Sequence, residues 1–108
     1  MELISINDFA KLDLRVAEIL AATEHPNADK LILLTIRVGE EEKQIVAGIK
    51  AFYELEALVG KKIVVVNNLE PVELRGEKSE GMLLAASDDD SLTLLTPERE
   101  ISCGARVK

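Results

Sequence analysis

Tryptophan is absent from the 108-residue chain, and cysteine and histidine occur once each. So few nitrogen and sulfur ligands cannot build a structural or catalytic zinc site. His25, in "EHPNAD", has no serine or cysteine partner at a spacing that suggests a nucleophile and its base. The acidic run "SDDDS" (87–91) lacks the ligand pattern of a calcium loop, and no glycine-rich phosphate loop occurs. No catalytic residue, metal or cofactor is therefore expected. The lone Cys103 cannot close an internal disulfide, which fits a reducing, cytoplasmic setting. Aromatics are confined to Phe9, Phe52 and Tyr53, too few to expect a platform for stacking single-stranded bases. Apolar runs stop at strand length, well short of the roughly 20 residues that span a bilayer. The start, "MELISINDFAKLDLRV", lacks the basic segment that opens a signal peptide, so no membrane partner is expected.

What is present is the composition of a folded domain: 47% apolar and 31% charged residues. The length fits one domain spanning 1–108. Basic residues number 13 and acidic residues 20, for a net charge of −7. Taken in bulk, that balance argues against nucleic acid, whose phosphates dominate affinity. Much of the acid is clustered, however, at Glu40–Glu42 and Asp88–Asp90. A domain of this size is about 30 Å across, and salt screens charge beyond about 8 Å. A remote acidic turn therefore hardly reaches a ligand on the opposite side.

Ser5, three residues before Asp8, starts a short N-terminal helix in the manner of a capping box. Leu12, Leu14 and Val16 then alternate with Asp13 and Arg15, as in a strand. The alternation slips after Ala17, which predicts a β-bulge in a long, bent strand. "TEHPNADK" (23–30) is a loop, followed by strands at 31–38 and 43–49 joined across Gly39. Phe52, Leu55 and Val59 predict a helix over 51–59, ended by Gly60. A fourth strand follows at 61–69, and a hairpin pairs 81–87 with 92–96. The end, "ISCGARVK", is expected to add a short closing strand. This order is that of an all-β OB-fold, a five-stranded Greek-key barrel with its helix between strands three and four.

Binding chemistry clusters in two loops that this architecture brings to one end of the groove. Lys30 ends the first long loop. Arg75, Lys78 and Ser79 lie in "LRGEKSEGMLLAAS" (74–87), read as a loop entering strand five. Arg37 and Thr35 point outward on strand two if Leu34, Ile36 and Val38 point inward. Met82 is open between core and contact. Strands four and five carry more apolar residues than one solvated face needs, and Ile4, Ile6 and Phe9 add to them. That excess predicts a homodimer.

The blocks "DFAKLDLRVAEIL", "HPNADKL", "IVAGI", "VVVNNLEP" and "LRGEKSEGMLLAAS" occur in this order across nearly the whole chain. In content and spacing they resemble the tRNA-binding domain family. That family comprises the C-terminal domain or detached β subunit of methionyl-tRNA synthetase and free-standing dimeric tRNA-binding proteins. The resemblance implies an OB-fold that grips the outer corner of the tRNA L by shape and performs no chemistry, with methionyl-tRNA synthetase as a possible partner. It places contacts on Lys30, Ser79 and Met82, with Arg75 at a basic position before the first glycine. Glu77 and Glu80 depart from the neutral residues often found in that loop. Two other readings of the scaffold are a peptide-binding protein similar to export chaperones and a tether for aminoacyl-tRNA synthetases.

Overall fold

A computed structural model describes all residues, 1–108. It is an all-β protein of the OB type, an antiparallel sheet curled into a half-barrel with two short helices. Helix α1 (Ile6–Phe9) leads into β1 (Leu14–Glu24), β2 (Ile32–Val38) and β3 (Glu41–Ala47). Helix α2 (Leu55–Leu58) precedes β4 (Lys62–Val66), β5 (Val72–Leu74), β6 (Glu77–Ser79) and β7 (Met82–Leu83). A hairpin of β8 (Ala85–Ser87) and β9 (Leu92–Leu94) follows, and β10 (Arg106–Val107) closes the chain against β1. The main sheet runs β3-β2-β1-β4-β7. No helix is long and apolar enough to cross a membrane.

Strand β1 is shared by both halves of the sheet, and its 11 residues are more than one flat partner can use. Its first part pairs with β4 and β10, and its second with β2. The expected bulge exists, but the register shifts at Leu20, between Ile19 and Ala21. The slip in apolar alternation at Val16 and Ala17 has a different cause. The Val16 amide donates to Ala105 O and its carbonyl accepts from the Gly104 amide, so the chain end extends the sheet beside β1 on the edge opposite β4, and Val16 is buried outside the core cluster that holds Ala17. Two successive side chains are buried without a break in register against β4.

Inward positions of β2 are Ile32, Leu34, Ile36 and Val38, all buried, with Thr35 and Arg37 facing outward as the alternation predicts. These pack with Ile19, Ile45, Ile63 and Val65 into one core. The helix after β3 is shorter than 51–59: only Leu55–Leu58 is helical, and Leu58 is the buried residue. Phe52 and Val59 remain about half exposed. The Phe52 amide donates to Ile49 O in a turn, and Glu54 provides no side-chain cap, so the predicted first turn does not form.

A polar network ties the far end of the barrel together. Asp13 accepts from Arg15 Nε at 2.7 Å and from Asn67 Nδ2 at 3.1 Å. Asn67 Oδ1 in turn accepts from Lys43 Nζ at 2.8 Å. The Asn67 hydrogen bond, with Arg15 and the charge of Arg106, holds the Asp13 carboxyl below its ordinary pKa against the opposing effect of burial.

Candidate nucleic-acid interface

The segment 72–79 is a two-stranded ribbon rather than a loop. Strands β5 and β6 pair Val72 with Ser79, Glu73 with Lys78 and Leu74 with Glu77. Two residues make the turn, Arg75 at φ 53° and Gly76 at φ 93°, as a type I′ turn requires. Arg75 is the only non-glycine residue with positive φ, a conformation that costs a residue with a Cβ roughly 1–2 kcal/mol. The surrounding contacts hold it there, and its side chain stands at the tip of the ribbon.

The β1–β2 loop meets that tip. Its base is closed by the His25 amide donating to Leu31 O. Within the loop the Asn27 amide donates to His25 Nδ1 at 2.9 Å, and His25 Nε2 lies 2.9 Å from Leu74 O on the ribbon. Asn27 Nδ2 reaches Arg75 O at 3.4 Å. Lys30 and Arg75 consequently line one depression together with Asn27, Ala28, Asp29 and Leu31. Two cations face one carboxylate there, so the local balance is positive on a chain whose net charge is −7. The acidic β2–β3 turn at Glu40–Glu42 is at the other end of β2, roughly 26 Å away at about 3.3 Å per residue. That is about three screening lengths at physiological salt.

The other expected contact residues are placed differently. Arg37 is seven residues beyond Lys30, roughly 23 Å along extended chain. Its Nη2 donates to Glu18 at 2.7 Å, and its cross-strand neighbours on the two sides are Glu18 and Glu42. One guanidinium between two carboxylates leaves that row of the sheet net negative. Lys78 is exposed opposite Glu73, on the ribbon face turned away from Ser79 and the barrel.

Ser79 is 3% exposed. Its hydroxyl accepts from the Val46 amide at 3.0 Å and donates to Gly81 O at 3.1 Å. This stands in for a ladder bond where β6 runs beside β3 without regular pairing. Gln44 bridges the same seam, its Nε2 donating to Lys78 O and its main-chain carbonyl accepting from the Glu80 amide. Gly81 admits no side chain cheaply, since a Cβ would come within 3.1 Å of Val66 O. Met82 is 48% exposed and borders an apolar groove of about 680 Å³ with Val46, Leu69, Val72 and Leu74. From the sequence His25 is only a histidine with no catalytic partner, and Asn27 and Gln44 carry no signal of their own. A single histidine followed two residues later by asparagine, in a proline-containing loop, is the one signal that could have found the first two.

A curled OB-type sheet that brings a lysine and an arginine together at one end has the architecture of a binding barrel. A family model described as "Putative tRNA binding domain" matches residues 14–106, and the chain belongs to that tRNA-binding family. It is 48% identical over 108 residues to the methionine–tRNA ligase of Thermococcus kodakarensis, covering 100% of this chain and 15% of the ligase. The chain thus spans about one-seventh of the length of such relatives. Among solved structures, a MetRS related protein from Pyrococcus horikoshii superimposes with a TM-score of 0.93 and 37% identity, covering 100% of both chains. The chaperone CsaA from Bacillus anthracis gives a TM-score of 0.89 and 34% identity, over 99% of this chain and 100% of that one.

Proposed function

We propose that this domain binds tRNA by shape at the outer corner of the L, with Lys30 and Arg75 as its principal phosphate contacts, and catalyses no reaction. The observation that carries this is the meeting of Lys30 and Arg75 in one depression, far from the acidic turn. Lys78 on the outer ribbon face and Met82 in the adjoining groove extend the surface beyond that site, Ser79 holds the ribbon on which Arg75 stands, and Arg37 is a secondary contact held back by Glu18. RNA helices are recognised mainly through shape, phosphates and 2′-hydroxyls, which suits a site with cations and no aromatic side chain. In a cytoplasmic methionyl-tRNA synthetase, attached or as a detached subunit, such a module raises tRNA affinity while the chemistry happens elsewhere. Titration of tRNA into the protein and into Lys30→Ala and Arg75→Ala variants tests this. Undiminished binding by both variants overturns the assignment.

The apolar groove beside the ribbon favours a second reading, an extended peptide bound between Val46 and Met82. The likeness to the chaperone CsaA supports it. A parallel titration with an unfolded polypeptide separates the two: tRNA binding is expected to depend on Lys30 and Arg75, and peptide binding on Val72 and Met82. A domain serving only to tether other synthetases would bind neither ligand.

A further inference from the structure

Histidine occurs once in the chain, and the residue is only 6% exposed although it lies in a loop. Each ring nitrogen has a partner from the main chain. The Asn27 amide can only donate, so Nδ1 must be its unprotonated acceptor. Leu74 O can only accept, so the ring proton must be on Nε2. Together the two contacts select the neutral Nε2–H tautomer: the first excludes a proton on Nδ1, and the second requires one on Nε2. One bond shapes the loop that carries Lys30, and the other crosses to the last residue before the Arg75 turn.

We propose that His25, as the neutral Nε2–H tautomer, is a positioning residue that sets the spacing of Lys30 and Arg75 and so preorganises the tRNA site. This rests on the reading of Lys30 and Arg75 as phosphate contacts. Without the bond to Leu74 O, the ribbon tip is held to the loop only by the long contact from Asn27 Nδ2 to Arg75 O. The base of the ribbon stays tied to β3 through Ser79, Gln44 and Glu80, so it is the tip carrying Arg75 that is then free to move relative to the loop. Two cations on elements that move independently must be ordered when the ligand arrives, and that ordering subtracts from affinity.

Two substitutions divide the bonds between them. In His25→Asn, Oδ1 takes the place of Nδ1 and keeps the Asn27 amide satisfied, but nothing reaches Leu74 O. In His25→Gln, the side-chain amide takes the place of Nε2–H and keeps the crossing bond, while the bond within the loop is lost. At a temperature where melting curves show both folded, His25→Gln is expected to bind tRNA within about twofold of the parent. His25→Asn is expected to bind roughly three- to tenfold more weakly, the size of one net hydrogen bond. In the parent, the loss for the Lys30→Ala, Arg75→Ala double variant should be smaller than the product of the single losses. In the His25→Asn background it should equal that product. Equal affinities for the Asn and Gln variants, or the reverse order, overturn the proposal. Imidazole nitrogen NMR on the unaltered protein is a test that needs no variant to fold: a protonated Nδ1 overturns the proposal, and a protonated Nε2 is expected. If Lys30→Ala and Arg75→Ala leave tRNA binding unchanged, the functional reading fails by itself. The role of His25 is then decided by amide exchange at Arg75 and Gly76, expected to quicken in His25→Asn and to stay parent-like in His25→Gln.

Discussion

The buried hydroxyl of Ser79 accepts the Val46 amide at 3.0 Å and so joins the β5–β6 ribbon to the barrel edge at β3. Its single proton is already given to Gly81 O. With both bonds of the hydroxyl made inside the protein, Ser79 is expected to act by holding the element on which Arg75 is displayed.

Ser79→Ala removes the partner of the Val46 amide at a part-buried position, which costs about 0.5–1.5 kcal/mol. Denaturant unfolding is expected to show that loss. Affinity for tRNA, measured where the variant is fully folded, should fall by no more than about twofold. A large loss of affinity with unchanged stability would place the hydroxyl on the ligand instead.

The number of phosphates engaged can be counted by salt. Lys30 and Arg75 neutralising one phosphate each give a slope of log affinity against log salt of about −1.4 to −1.8 per protomer. Lys30→Ala and Arg75→Ala should each flatten it by about 0.7 to 0.9. A parent slope near about −2.5 would bring Lys78 in as a third contact.

Arg37 is expected to matter less than Lys30, because Glu18 holds its guanidinium and Glu42 lies on its other side. Arg37→Ala should weaken tRNA binding less than Lys30→Ala does. In a Glu18→Gln background the same substitution should cost more, since the guanidinium is then free to meet phosphate. Isothermal titration of the parent, the three single variants and the double variant decides it. An equal effect of Arg37→Ala in both backgrounds would show that the ion pair does not restrain it.

Acid stability has a specific contributor in Asp13, whose carboxyl is held below its ordinary range first by the Asn67 hydrogen bond and then by Arg15. A depressed folded pKa means stability that is fully present above the unfolded value, about 3.9. It is lost as the pH falls through the folded value. Asp13→Asn should therefore be less stable than the parent at neutral pH. The gap should close as the pH is taken from about 5 to 2. A gap independent of pH in urea melts would mean that charge on Asp13 is not what matters.

The N-terminal segment leaves Leu3, Ile4 and Ile6 largely exposed, and α1 buries no residue. An apolar segment with nothing beneath it fits a self-association surface. Light scattering is expected to give about twice the chain mass of 11.8 kDa, and Ile4→Glu with Ile6→Glu should return the monomer. A parent mass of one chain at micromolar concentration would refute the dimer.

Period and composition determined the strand order, the inward face of β2 and the OB class, because these depend on which side chains can leave water together. The clustering of acid away from Lys30 was also legible, since the β2–β3 turn must lie at the end of β2 opposite the first loop. Tertiary structure alone decided the rest. The slip at Val16 and Ala17 looks like a bulge in one dimension, but there the register against β4 is unbroken and both side chains are buried. The β5–β6 ribbon was invisible because arginine at the first position of a type I′ turn carries none of the usual asparagine or glycine signal. Long-range contacts force that conformation on Arg75. Ser79 and His25 are polar residues in segments that read as solvated loops, and only their partners, Val46 33 residues away and Leu74 49 residues away, show why each is buried. A hydrogen bond between distant segments leaves no periodic trace, so which cations share a site had to wait for the fold.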